Sequence, residues 1–104
     1  MNIKKVLGSL GLAMKAGRVE SGEFLTEKAI KDGRACLVIV ATDASANTKK
    51  KFSDSCKFYQ VPYAEFSDKN TLGACIGKEF RASLAVTDRG FAKSIGKNLE
   101  LEEK

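Results

Sequence analysis

Three cysteines, Cys36, Cys56 and Cys75, are the strongest nucleophiles in this sequence, and none has the partner that covalent catalysis requires. A catalytic thiol or hydroxyl is ordinarily activated by a neighbouring imidazole, and the 104-residue chain contains no histidine. The same absence removes every His-ligated metal site. The cysteines lie 20 and 19 residues apart with no C-x-x-C, which fits neither a zinc ribbon nor a disulfide framework. They read as reduced thiols that pack as small apolar side chains.

Other chemical motifs fail on spacing. Gly73-Ala74-Cys75-Ile76-Gly77-Lys78 resembles a phosphate loop, but three residues separate its glycines where four are needed, and Glu79 follows the lysine. The stretch also closes a helical pattern where a phosphate loop would open one. No G-x-G-x-x-G follows a strand, so a dinucleotide site has no support. Ser94-Ile95-Gly96-Lys97 matches S-x-x-K without its companion motifs. Asp43 and Asp88 each follow a strand, where ligands often gather in open sheets, but both serve better as helix caps. The sequence therefore predicts neither enzyme nor cofactor nor metal site.

Charge points elsewhere. Eighteen Lys and Arg against thirteen Asp and Glu give a net charge of +5 and a pI near 9.2. Lys49-Lys50-Lys51 is the densest run, yet helical residues turn by roughly 100° each, so these lysines fan around a solvated face. A second pattern is more specific. In the helix that should follow Ser21-Gly22, Thr26, Ala29 and Ile30 share one side, with Leu25 at its edge, and Phe24, Lys28 and Lys31 share the other. Lysines neutralise phosphate, a ring can stack on a base, and the free N–H groups of a first turn attract oxygen acceptors. Alternatively, Phe24 folds back on a loop and the lysines are merely solvated; the pattern alone does not choose. Lys15 and Arg18 flank the segment before this helix, and Lys78-Glu79-Phe80-Arg81-Ala82 is a second basic, aromatic connection. If all lie at one end of a sheet, they form a basic rim with an aromatic floor.

The elements that must position them alternate. Ile3, Val6, Leu7, Leu10 and Met14 form one apolar stripe of a helix over residues 2–16, closed by Gly17. Gly8 and Gly11 in it suit close approach of another backbone. A brief strand is expected at 18–20, then a helix over 22–32 with Ser21 as cap and Gly33 as stop. Residues 35–41 form a strand buried on both faces. Asp43 and Ser45 precede a helix over 46–59 whose inner face carries Phe52, Cys56 and Tyr59. Pro62 opens a strand at 63–66, and a short helix from Ser67 or Asp68 ends at Gly77. A strand at 82–87 leads to a last helix capped by Asp88. This order predicts an α/β fold, a three-layer α-β-α sandwich with a mostly four-stranded mixed sheet.

Over about residues 3–95 the chain resembles the kink-turn-binding ribosomal protein superfamily (the L-seven-Ae and L-thirty-e type), and within it the small bacterial YlxQ-like members. The resemblance is carried by Leu12-Ala13-Met14-Lys15-Ala16-Gly17-Arg18-Val19, Ser21-Gly22, Lys28-Ala29-Ile30-Lys31-Asp32-Gly33 and Leu37-Val38-Ile39-Val40-Ala41 with Asp43. It continues through Val61-Pro62-Tyr63, Leu72-Gly73, Ile76-Gly77, Ala85-Val86-Thr87-Asp88 and Gly90-Phe91-Ala92. It implies binding to RNA at sharply bent internal loops, where family members read guanines of sheared G·A pairs through Gly-x-Asn-Glu-x-x-Lys. Gly22 matches that glycine and Lys28 that lysine, whereas Phe24 and Leu25 stand where the family has Asn and Glu. The family loop that covers extruded bases corresponds to about residues 80–83.

The expected RNA-binding residues are thus Lys15, Arg18, Gly22, Glu23, Phe24, Lys28, Lys31, Phe80, Arg81 and Ala82. The expected partner is a structured RNA, ribosomal in kind, with a further protein possible within a ribonucleoprotein. Residues 1–98 should form one domain, monomeric when free, and 99–104 a frayed acidic tail. No apolar run reaches the roughly 18 residues of a membrane span, and Met1-Asn2-Ile3-Lys4-Lys5 leads into no signal peptide, so a cytoplasmic location is expected. The alternative on the same fold is a protein-interaction adaptor.

Overall fold

A computed structural model describes residues 1–101. Five helices and four strands alternate: α1 (Ile3–Lys15), β1 (Val19–Ser21), α2 (Glu23–Lys31), β2 (Leu37–Val40), α3 (Ala46–Tyr59), β3 (Tyr63–Glu65), α4 (Lys69–Cys75), β4 (Ser83–Val86) and α5 (Arg89–Asn98). The sheet order is β1-β4-β2-β3. β4 runs antiparallel to both β1 and β2, and β3 is parallel to β2, so the sheet is mixed as expected. Pro62 precedes the edge strand β3, and its carbonyl accepts from Val38 at 2.9 Å.

Alternate side chains of the central strands build two cores. Leu37, Ile39, Leu84 and Val86 face Val6, Leu10 and Ala13 of α1, Leu72 of α4 and Ile95 of α5. Val38, Val40 and Ala85 face Ala29 and Ile30 of α2 and Phe52 and Cys56 of α3. Both faces of β2 and β4 are therefore covered, which is why their sequences run apolar without alternation.

Caps fix the helix entries. Asn2, Ser45, Asp68 and Asp88 accept from the backbone N–H three residues on, and positive-φ Gly17, Gly33 and Gly77 follow the ends of α1, α2 and α4. Asp43 differs from its expected role before α3. Its carboxylate accepts from the N–H of Lys69 at 3.0 Å, so it serves the first turn of α4 instead.

Several expectations are corrected by packing. Ile3 is exposed, and the α1 stripe narrows to Val6, Leu10 and Ala13, with Leu7 and Met14 half-buried. Tyr59 also lies outside the α3 face that buries Phe52 and Cys56, and pairs edge-on with exposed Phe58. Gly11 meets the backbone of Cys75 closely, whereas Gly8 has no such neighbour. Leu99 is buried in the α1 and α5 core and Leu101 packs beside it, although both fall within the expected tail. The expected fraying of residues 102–104 lies outside the described residues.

All three cysteines are free. Burial pushes the Cys56 thiol up to about 12 and raises that of Cys75. Since the thiolate is the reactive form, Cys56 in the native protein should alkylate more slowly than Cys36. Three thiols should label after denaturation without reductant. Iodoacetamide labelling followed by peptide mass spectrometry checks both rates and count, and fast native labelling of Cys56 would contradict this packing.

Candidate RNA interface

The start of α2 is open. Its N-cap is Gly22, at φ 92° and ψ 162°, and no side chain caps it. Ser21, expected as the cap, ends β1 instead. Among the described residues the N–H groups of Glu23, Phe24 and Leu25 have no protein acceptor. Gly22 adopts a backbone conformation that L side chains rarely take, and a Cβ there would meet open space. Backbone donors at a helix N-terminus then face outward, where anionic oxygen is favoured.

The connection between α4 and β4 lies against this opening. Arg81 Nε donates to Ser21 Oγ at 3.1 Å, its guanidinium also donates to the Phe80 carbonyl, and the Gly22 N–H donates to the Ser83 carbonyl at 3.0 Å. Beneath, Ser83 and Thr26 are buried and pair through their hydroxyls at 3.3 Å. The loop is held from its other side by α4, whose Gly73 lets Glu79 and Phe80 pass directly over the helix. Ala82 is half-buried and its carbonyl accepts from Ala41, which anchors the loop to the sheet.

Two rings stand clear on this surface. Phe24 is 75% and Phe80 56% exposed, so Phe24 does not fold back on a loop. Lys69 Nζ lies 6.0 Å from the Phe80 ring centroid, and the Arg81 N–H donates to the Lys69 carbonyl. Lys69 was invisible as a candidate in sequence. Only the return of the loop across α4 brings it to Phe80.

The lysines of α2 are not idle charges. Lys28 pairs with Asp32 at 3.0 Å and Lys31 with Glu27 at 2.8 Å. From α3, Lys51 reaches both Glu23 and Glu27, at 2.7 and 2.6 Å. The Lys31 ammonium, then that of Lys51, holds the Glu27 carboxyl below its usual range, and Lys28 does the same for Asp32. Hence Glu23 is kept from confronting an anion unneutralised. The lysine run fans as expected, since Lys49, Lys50 and Lys51 engage Glu65, Asp54 and the α2 carboxylates separately.

Lys15 and Arg18 do not join this rim. Arg18 precedes β1 and its carbonyl accepts from Thr87, whereas Ser21 pairs with Leu84. The two basic residues therefore lie at the opposite end of the sheet, where Arg18 lines a shallow cleft with Arg34 and Arg89. The geometry gathers Gly22, Glu23, Phe24, Phe80 and Arg81 at one end, with Lys28 and Lys31 following along α2.

A family model described as the ribosomal protein L7Ae/L30e/S12e/Gadd45 family matches residues 4–96. The chain belongs to this family. The chain is 50% identical over 86 residues to the "RNA-binding protein YlxQ" of Bacillus subtilis (strain 168), covering 83% of this chain and 86% of that protein. A protein of the same description from Enterococcus faecium is 40% identical over 99 residues, covering 95% of each. Among solved structures, a Bacillus halodurans C protein described as of unknown function superposes with a TM-score of 0.90 at 38% identity, covering 92% of this chain and 97% of that one. The Giardia lamblia 15.5kD RNA binding protein shares the fold, with a TM-score of 0.82 at 23% identity over 95% of this chain and 88% of that one. Among the described residues no group of His, Cys, Asp and Glu has the arrangement of a metal site, and no helix is long and apolar enough to cross a membrane.

Proposed function

We propose that this chain is a non-catalytic RNA-binding protein that docks a bent, structured RNA of kink-turn type on the start of α2 and the 79–81 loop. One observation carries the reading: the N–H groups after Gly22 are uncapped, Arg81 is anchored beside them through Ser21, and Phe24 on α2 and Phe80 next to Arg81 are both exposed. Backbone donors and Arg81 suit phosphate or base-edge oxygens, and the rings suit unstacked bases. Lys28, Lys31 and Lys69 add charge around them. Relatives described as RNA-binding proteins support the same reading. A ribosomal RNA segment met in the cytosol is the proposed target.

Binding driven by such contacts weakens with salt. The slope of log affinity against log salt for a kink-turn RNA should be negative by about 0.7–0.9 for each phosphate engaged. Fluorescence anisotropy across a salt series measures it, and retained affinity with a flat response would overturn the reading.

Substitutions locate the surface. Lys28→Ala should weaken binding by about 1–3 kcal/mol if its ammonium leaves Asp32 for a guanine or phosphate, and Lys50→Ala far less. Lys50 is engaged with Asp54 on α3, away from the opening. Equal losses in the same anisotropy assay would mean that RNA lies elsewhere.

A further inference from the structure

At the end of the sheet remote from Gly22, a groove of about 930 Å³ runs between the end of α3, the segment leading into β3 and one side of α5. Its character differs from the α2 surface in two respects. The floor is aliphatic, formed by Leu37, Cys56, Val61, Pro62 and Ala92, and among the described residues no aromatic ring lines it. The rim is cationic, and no described carboxylate lines the groove.

The rim charges are ordered. Arg89, Lys93 and Lys97 follow one another at i, i+4 and i+8 on α5, so they form a row rising about 6 Å per step. Lys57 stands on the opposite wall at the end of α3. All four are exposed. Among the described residues none is in an ion pair, whereas Lys28, Lys31, Lys50 and Lys51 each have a carboxylate partner. Leu101 packs beside Gly96 and joins the aliphatic lining.

We infer that this groove docks an acidic, amphipathic segment of a partner protein. Charge complementarity selects the sign: a helical segment with carboxylates four residues apart matches the spacing of the α5 row. The floor selects the class. Aliphatic side chains, a thiol and a proline ring bury aliphatic anchors, but they offer no platform on which bases stack. Because the RNA surface is at the other end of β2 and β4, both can be occupied together. The protein then couples an RNA to a protein partner, and the inference holds whether or not the α2 surface binds RNA.

Nitrogen-labelled protein titrated with a synthetic amphipathic helical peptide, bearing leucine and glutamate at i, i+4 spacing, tests this by amide chemical shifts. Saturable shifts at Leu37, Val61, Ala92 and Gly96 are expected, with little response to the same peptide carrying lysine for glutamate. Lys93→Glu with Lys97→Glu should weaken binding about tenfold while the remaining amide spectrum keeps its dispersion. Lys57→Glu, from the facing wall, should weaken it in the same sense. No groove shifts at saturating peptide, or peptide shifts confined to the α2 end, would overturn the inference. So would groove shifts produced instead by a uridine oligonucleotide and lost in the same variants, which would make the groove an RNA surface.

Discussion

A Gly73→Ala variant will unfold at a markedly lower temperature than the parent and will bind RNA more weakly. A Cβ on Gly73 would lie 2.6 Å from the Phe80 Cα and closer still to the Glu79 carbonyl oxygen, and both neighbours are backbone. No side-chain rotation relieves that collision, so helix and loop must separate. Overpacking of this kind costs about 1–3 kcal/mol, which lowers the midpoint of a domain this size by roughly 5–20 °C. The displaced segment carries Phe80 and Arg81, so the proposed RNA surface is damaged along with the core. Gly8→Ala is the control, because nothing lies within 4 Å of a Cβ there. In mid-helix it should stabilise by about 0.5–1 kcal/mol. Thermal melts and anisotropy on both variants decide the matter. An unchanged melting temperature for Gly73→Ala would contradict the close passage of the loop over α4.

The second large effect concerns discrimination between RNAs. Phe24→Asn combined with Leu25→Glu restores, at the α2 start, the polar pair of the family pattern. Phenylalanine can stack on a base but cannot hydrogen-bond its edge. Asn can donate to and accept from a guanine edge, a Glu carboxylate can accept from guanine N–H groups, and one good bidentate contact is worth about 1–3 kcal/mol of discrimination. The double variant should therefore prefer a kink-turn over the same RNA with its G·A pairs replaced, by at least about tenfold more than the parent does. Leu25 is 41% exposed, so a carboxylate there remains hydrated and the fold should tolerate it. Paired anisotropy titrations measure the gain. A stable double variant with unchanged preference would place the RNA on another surface.

Much of this architecture was legible because it is local. The apolar run at β2, the Ser45 cap of α3 and the signals from Asp68 to Gly77 around α4 depend on neighbours in the chain, and they fall within a residue or two of the observed bounds. So does the alternation that defines the sandwich. Errors arose where distant pairing decides. Lys15 and Arg18 are close to Gly22 in sequence, but β1 intervenes, and its antiparallel register with β4 sends them to the far end. Ser21 looked like a helix cap until Arg81 claimed its hydroxyl from sixty residues away. Lys69 and Lys51 carried no local sign of reaching Phe80 and the α2 carboxylates. Phe24 was undecided between stacking and packing because exposure is a property of the assembled surface.

The position of β4 at the centre of the sheet has a consequence for synthesis. Until residues 83–86 have left the ribosome, β1 has no partner and β2 can pair only with β3. The nascent chain thus carries unpaired strand edges until β4 emerges, and closure of the sheet is a long-range event. The Gly22 N–H and the Ser21 hydroxyl also wait for Ser83 and Arg81. A chain not yet made through β4 therefore lacks the assembled start of α2, and the proposed RNA surface is withheld from it.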